Sequence, residues 1–357
     1  MRPRGLLIAN PNATTTSART RDVITGALTH EIDLDVVTTT HRGHAQELAA
    51  QARHDDVDLL LTLGGDGTIN EAVNGLLAAG TGEGLPILAT IPGGAANVLA
   101  RALGFPNEAI EATGMILESL RTRTSHDIGL GHARFTPLPD DEGATDDTDD
   151  TDDDADDAHT DHPDPDGDGV AGLEAPPGVE RTHWFTINAG IGLDADVISA
   201  MEAQRAKGHS ASGGRYLWTA LQEYLRDPER KEPTLRIERP GVEPITGIAL
   251  AIVQNTAPWT YLGPVPINPC PQASFDLGLD VFAPHSLGLL SAARYGARML
   301  RGSRLGAVPG GLTLLHDQPE LTIRAGNATN LQVDGDSMGR VRSVVLTSVP
   351  HALRIAG

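Results

Sequence analysis

Cysteine is almost absent from this 357-residue chain. The single Cys270 excludes an internal disulfide and a cysteine-based zinc site, and it reads as a buried structural thiol rather than a nucleophile. Long apolar runs are missing too. Gly5-Leu6-Leu7-Ile8-Ala9 is too short for a signal core or a membrane-spanning helix. The expectation is therefore a cytoplasmic protein. No basic stripe is present, which argues against nucleic acid as a partner.

The formal net charge of -21 looks like a property of the whole molecule, but it is local. Asp140 to Asp168 holds 16 acidic residues and no Lys or Arg, leaving 32 acids against 27 bases elsewhere. The segment at about 139–180 is rich in Asp, Thr, Pro and Gly with little to bury, and is expected to be a disordered acidic insertion. Within it, Asp164-Pro165-Asp166-Gly167-Asp168-Gly169 imitates a calcium loop. The twelfth position, where a bidentate acid is required, is Ala175.

The most informative stretch runs from Leu59 to Leu77. Leu59 to Leu63 is apolar except for Thr62, as suits a strand covered on both faces, and Ile69, Val73, Leu76 and Leu77 then recur at helical intervals. Between them lies Gly64-Gly65-Asp66-Gly67-Thr68. Its glycines allow a sharp turn and close approach of backbone N–H groups to an anion, and the helix adds the positive end of its dipole. A carboxylate at Asp66 is odd in a pure anion site unless it holds Mg2+ or accepts a hydroxyl proton. Taken alone, such a turn can equally serve tight packing.

Around it, residues 5–10, 33–39 and 86–91 read as further strands, with helices over 19–30, 44–53, 97–103 and 108–120. This alternation implies a parallel sheet with helices on both faces, whose ligands bind beyond the carboxyl ends of the strands. The loops expected to gather there start at Asn10-Pro11-Asn12, Thr38-Thr39-Thr40-His41-Arg42-Gly43-His44, Gly64 and Pro92-Gly93-Gly94-Ala95-Ala96-Asn97. Each is also compatible with ordinary helix capping. After about Thr124 the chain changes character. Runs over 234–238, 248–254, 321–324 and 341–347 are short, β-rich and separated by Pro or Gly, as in a β-sandwich. Helices over 194–206 and 286–300 interrupt them.

The four loops in this order resemble the bacterial diacylglycerol kinase and sphingosine kinase-like lipid kinase family. The resemblance continues through 185–197, 254–263, 268–271, 276–282 and Val333-Asp334-Gly335-Asp336-Ser337, leaving only the acidic insertion outside it. It implies a two-lobed enzyme. Residues 1–125 would form an α/β nucleotide-binding domain like that of phosphofructokinase, 126–349 a β-sandwich domain, and 350–357 a tail that returns to the first. It also implies an ATP- and Mg2+-dependent kinase for a lipid alcohol, most simply diacylglycerol, presented at a membrane surface. A homodimer is left open.

By the same resemblance, ATP would meet Asn10, Pro11, Asn12, Thr39, Gly64, Gly65, Asp66, Gly67, Thr68, Ile69, Asn70, Glu71, Gly94, Ala95 and Asn97. Asp334 and Asp336, with Asp66, would supply the catalytic carboxylates, and Asp276 a metal ligand. Four departures stand out. Ala95 replaces a hydroxyl residue, Leu277 replaces a second acid, Asp336 replaces a Glu and so retracts its carboxylate by about 1.5 Å, and a lysine beyond the Asn-Pro loop is absent, with Arg19 the nearest cation. These keep open a weakly active nucleotide or lipid sensor. A soluble-substrate kinase of the NAD kinase type is the other alternative. For membrane contact the candidates are Trp259-Thr260-Tyr261 and the arginine-bearing helix around Arg294, Arg298, Arg301 and Arg304. Each is equally readable as core packing or an ordinary surface helix.

Overall fold

The fold is taken from a computed structural model that describes residues 2–11, 13, 17–82, 84–139, 177–193, 234–301 and 310–357. Most of the acidic insertion, Asn12 and the expected helix over 194–206 lie outside the described residues.

The first lobe alternates β1 (Arg4–Ala9), α1 (Ala18–Leu28), β2 (Asp33–Thr38), α2 (His44–His54), β3 (Leu59–Gly64), α3 (Asp66–Leu76), β4 (Ile87–Pro92), α4 (Val98–Ala102) and α5 (Ala109–Thr122). Its parallel strands lie in the order β4-β3-β1-β2. The order explains the sequence. β3 is flanked on both sides and all six of its residues are buried, whereas β2 sits at the edge and keeps Asp33, Asp35 and Val36 exposed. The carboxyl ends of β1, β2, β3 and β4 share one edge, and the loops that follow them meet there.

The second lobe is antiparallel and strand-rich. It contains β5 (Ser125–Phe135), β6 (Arg181–Phe185), β7 (Asn188–Leu193), β8 (Leu235–Arg239), β9 (Val242–Ile248), β10 (Ala251–Gln254), the small hairpin β11 (Thr260–Leu262) and β12 (Val265–Ile267), β13 (Leu279–Pro284), α6 (Leu289–Arg301), β14 (Leu312–Gln318), β15 (Glu320–Val333) and β16 (Asp336–Ala356). The single run expected over 248–254 is in fact two strands, because Ile248 closes β9 and the chain turns before Ala251.

Two strands belong to both lobes. β5 pairs along its length with the second half of β16, from Val344 to Ala356. Ile128, Leu130, Leu353 and Ile355 enter the first-lobe core, while Ala133, Phe135, Val344 and Leu346 enter the second. The ladder shifts register between Val349 and Leu353, where Pro350 and a left-handed His351 bend the chain from one core to the other. Ile355 then pairs in parallel with Leu88 of β4, so the sheets of the two lobes are hydrogen-bonded into one.

Candidate active site

The loops after β3 and β4 touch backbone to backbone. Gly93 N–H donates to the Gly64 carbonyl at 2.8 Å, and a Cβ added at Gly94 would lie 2.6 Å from Gly65 Cα. Glycine is demanded here by proximity. Beside this contact, α3 begins with no side-chain cap, so its first-turn N–H groups and dipole face the loop edge. Gly67 faces open space. The donor set is thus neutral backbone, suited to phosphate oxygens. On the flanks, Asn10 Nδ2 donates to Thr68 Oγ1 at 3.0 Å, Pro11 is exposed, and Thr39 is buried, its N–H bonded to the Ala9 carbonyl.

Several residues expected around a nucleotide are engaged elsewhere. Ile69 is buried in the first-lobe core. Glu71 Oε2 accepts from Ala45 N–H at the start of α2. Asn97 adopts a left-handed backbone conformation and braces its own loop: Oδ1 accepts from Gly94 N–H, and Nδ2 donates to the Gly94 carbonyl and to Asn107 Oδ1. Ala95 is exposed at the tip of that loop.

The three carboxylates singled out by sequence have different surroundings. Asp66 is half-buried, and its two oxygens accept from Val98 N–H and Leu99 N–H, both at 3.0 Å, capping α4. Burial pushes its carboxyl above the ordinary Asp range, against the pull of those N–H groups. Asp334, left-handed at the β15–β16 turn, is saturated. Its Oδ2 accepts from Thr186 N–H, Thr186 Oγ1 and Asn70 Nδ2, and its Oδ1 from Ile187 N–H and Asn188 N–H, all between 2.7 and 2.9 Å. Asp336, two residues on, meets Arg42: Nη2 donates to its Oδ1 at 3.0 Å.

Five participants were not singled out from sequence. Arg42 brings a guanidinium from the loop after β2 across to the second lobe. Asn74, one turn beyond Asn70 on α3, bonds the backbone of Trp184 through both amide atoms. His183, on β6, donates from Nε2 to Asn70 Oδ1 at 2.9 Å in its neutral form. Burial holds its imidazole below the usual range, only partly opposed by Asp334 and Asp336. Trp184 lies against His132, with ring centroids 4.5 Å apart. Thr186 completes the cradle of Asp334. One signal was available: Asn70 and Asn74 are polar residues four apart on a helix whose Ile69, Val73 and Leu76 are core residues, which points to a buried polar contact.

Asp276 is exposed, and no group of three or more His, Cys, Asp or Glu side chains suited to a metal occurs among the described residues. Trp259 is not interfacial. It is buried with Tyr295 and Met299. Tyr261 packs against the first-lobe core with the Arg101 guanidinium 3.2 Å above its ring. No helix among the described residues is long and apolar enough to cross a membrane.

Residues 4–132 match the family model of the diacylglycerol kinase catalytic domain. The chain is also 39% identical over 93 residues to a diacylglycerol kinase of Staphylococcus aureus (strain JH9). That stretch is 26% of this chain and spans only 28% of the relative's length. A solved structure of a diacylglycerol kinase from Bacillus anthracis str. Sterne superposes with a TM-score of 0.64 at 19% identity, covering 99% of this chain and 96% of that one. A crystal structure of a diacylglycerol kinase candidate from the same organism gives 0.69 at 21%, covering 99% and 97%. At such identity the likeness is one of fold.

Proposed function

We propose, from the match of residues 4–132 to the family model of the diacylglycerol kinase catalytic domain, that the protein transfers the γ-phosphate of ATP to the hydroxyl of a lipid alcohol, with diacylglycerol as the acceptor. The observation that carries this reading is the division of labour among the carboxylates. Asp66 is used up in capping α4 and Asp334 in joining the lobes, which leaves Asp336 as the group at the lobe junction with an oxygen to spare among its described contacts. A general base needs such an oxygen within reach of the attacking hydroxyl.

In this reading the phosphates lie against the first turn of α3 and the glycine backbone at Gly65, Gly67 and Gly94, which supply neutral donors and a positive dipole end. Asp336 takes the proton of the acceptor hydroxyl as its oxygen forms the new bond to phosphorus and ADP leaves with the electron pair of the bond that breaks. Arg42, ion-paired with Asp336, holds that carboxylate in place. Mg2+ normally keeps few protein ligands and takes phosphate oxygens for the rest, so a single carboxylate such as Asp276 is a chemically sufficient protein contribution for neutralising phosphate charge.

The test is transfer of labelled γ-phosphate to diacylglycerol in mixed micelles, with NAD as a parallel soluble acceptor. Labelled phosphatidic acid, with kcat reduced about 10² to 10⁴-fold in Asp336→Asn, is the expected result. Labelled NAD would transfer the reading to the soluble-substrate class. ATP binding without transfer to either would make the protein a sensor.

A further inference from the structure

Two segments of the second lobe stand out in so acidic a sequence. From Val281 to His316 there is not one Asp or Glu, while Arg294, Arg298, Arg301 and Arg304 fall within it. From Asn255 to Phe275 there is no charged residue at all. The first segment contains α6 and the second the β11–β12 hairpin.

On α6 the buried side is taken by Tyr295, Arg298 and Met299, with Tyr295 Oη donating to the Gly311 carbonyl. The opposite side carries Leu290, Ala293, Arg294, Ala297 and Leu300 at helical spacing. Leu290 is 83% exposed and Leu300 49%. This outward face is apolar with an exposed cation, where an ordinary surface helix would be polar. The hairpin presents Leu262-Gly263-Pro264-Val265, with Leu262 and Val265 each 42% exposed.

Helix and hairpin are built as one unit. Asn268 N–H donates to the Met299 carbonyl at 2.8 Å, Trp259 N–H donates to the Ile267 carbonyl, and Trp259, Tyr295 and Met299 share one buried cluster beneath them. Tyr261 fixes the other side of the hairpin to Arg101 of α4, the helix that follows the Gly94 loop. The hairpin is therefore tied to the first lobe through the helix that follows the Gly94 loop.

We propose that the outward face of α6 and the tip of the β11–β12 hairpin together form the docking surface for an anionic phospholipid bilayer. This rests on the lipid-kinase reading for its purpose, not for its physics. Exposed leucines insert at the acyl boundary, Arg294 meets the headgroup charge, and the local lack of acids removes the repulsion that the rest of the chain would suffer. The surface brings the cleft to the acceptor.

The experiment is co-sedimentation of the full chain with vesicles of phosphatidylglycerol and phosphatidylcholine, and with phosphatidylcholine alone, at two salt concentrations. Three variants are compared with wild type: Leu290→Ser with Leu300→Ser, Leu262→Ser with Val265→Ser, and Arg294→Glu. Size-exclusion with light scattering and phosphorylation of a short-chain diacylglycerol dissolved as monomers are measured alongside.

The expected result is salt-sensitive binding to the anionic vesicles, weakened roughly tenfold in each variant, with turnover of the dissolved acceptor unchanged. Variants that bind like wild type, or a wild type that ignores anionic vesicles, would overturn the proposal. So would a wild-type dimer that becomes monomeric in the variants, which would make this face a self-interface. If no variant or wild type phosphorylates the dissolved acceptor but vesicle binding falls as expected, docking stands and the kinase reading fails.

Discussion

Asn70 and Asp334 lie 264 residues apart in the chain, and a 2.8 Å hydrogen bond from Asn70 Nδ2 to Asp334 Oδ2 joins them. It connects the helix of the glycine loop to the turn that carries Asp336. The same Asn70 gives its amide proton to the Trp184 carbonyl and receives the Nε2–H of His183. One side chain thus ties the first lobe to β6 and to the β15–β16 turn of the other.

Replacing Asp334 by Asn sets an amide against a cradle of donors. We expect a loss of about 3 kcal/mol and a melting temperature lower by roughly 3 to 5 °C, read by thermal unfolding. An unchanged midpoint would mean that these bonds do not hold the lobes together.

Asp66→Ala removes both acceptors of the α4 cap and should cost about 1 to 2 kcal/mol. Asp66→Asn keeps one oxygen and should cost less. Steady-state kinetics should show a raised KM for ATP in both, because the Gly94 loop leans on that cap. A fall in kcat at constant KM and stability would return Asp66 to the chemistry itself.

Arg42 and Asp336 should be coupled. Arg42→Ala alone is expected to lower kcat about tenfold by freeing the carboxylate to wander. In an Asp336→Asn background it should change little. Additive losses in this double-mutant cycle would separate the two residues.

Gly94→Ala places a methyl carbon 2.6 Å from Gly65 Cα, where only backbone can yield. A destabilisation of about 1 to 3 kcal/mol and weaker ATP binding by calorimetry should follow. Wild-type affinity would show that the two loops can part without harm to the site.

Stability should fall with pH through the histidine range. His183 and His132 both have imidazoles held below the ordinary value of 6.5 by burial, so the unfolded chain takes up protons there that the folded one refuses. Stability is therefore full above about 6.5 and declines below it. His183→Gln keeps a hydrogen-bonding amide and should flatten that decline between pH 7 and 5 in urea titrations. An equal slope in wild type and variant would assign the effect to other groups.

The first lobe was legible because its signals are local. An apolar run at Leu59, glycines at Gly64 and Gly65 and helical spacing from Ile69 each specify structure within a few residues, and the order of four such units specifies a parallel sheet. The second lobe was legible as β-rich, yet its strand partners were not, since β15 reaches β7, β8 and β16 through pairings between distant segments. Helix ends shifted by a residue or two, as at α4, which is capped by Asp66 from the start of α3 and not by its own sequence.

By itself the sequence determined which residues could do chemistry: the glycine turn and the pair Asp334 and Asp336. It could not say which carboxylate is free, because that depends on donors brought by folding. Asp66 is consumed by Val98 and Leu99, and Asp334 by Thr186, Ile187, Asn188 and Asn70. Asp336, identical to them in composition, meets only Arg42 among the described residues. A carboxylate's role follows from the N–H groups around it, and those are set by the tertiary structure.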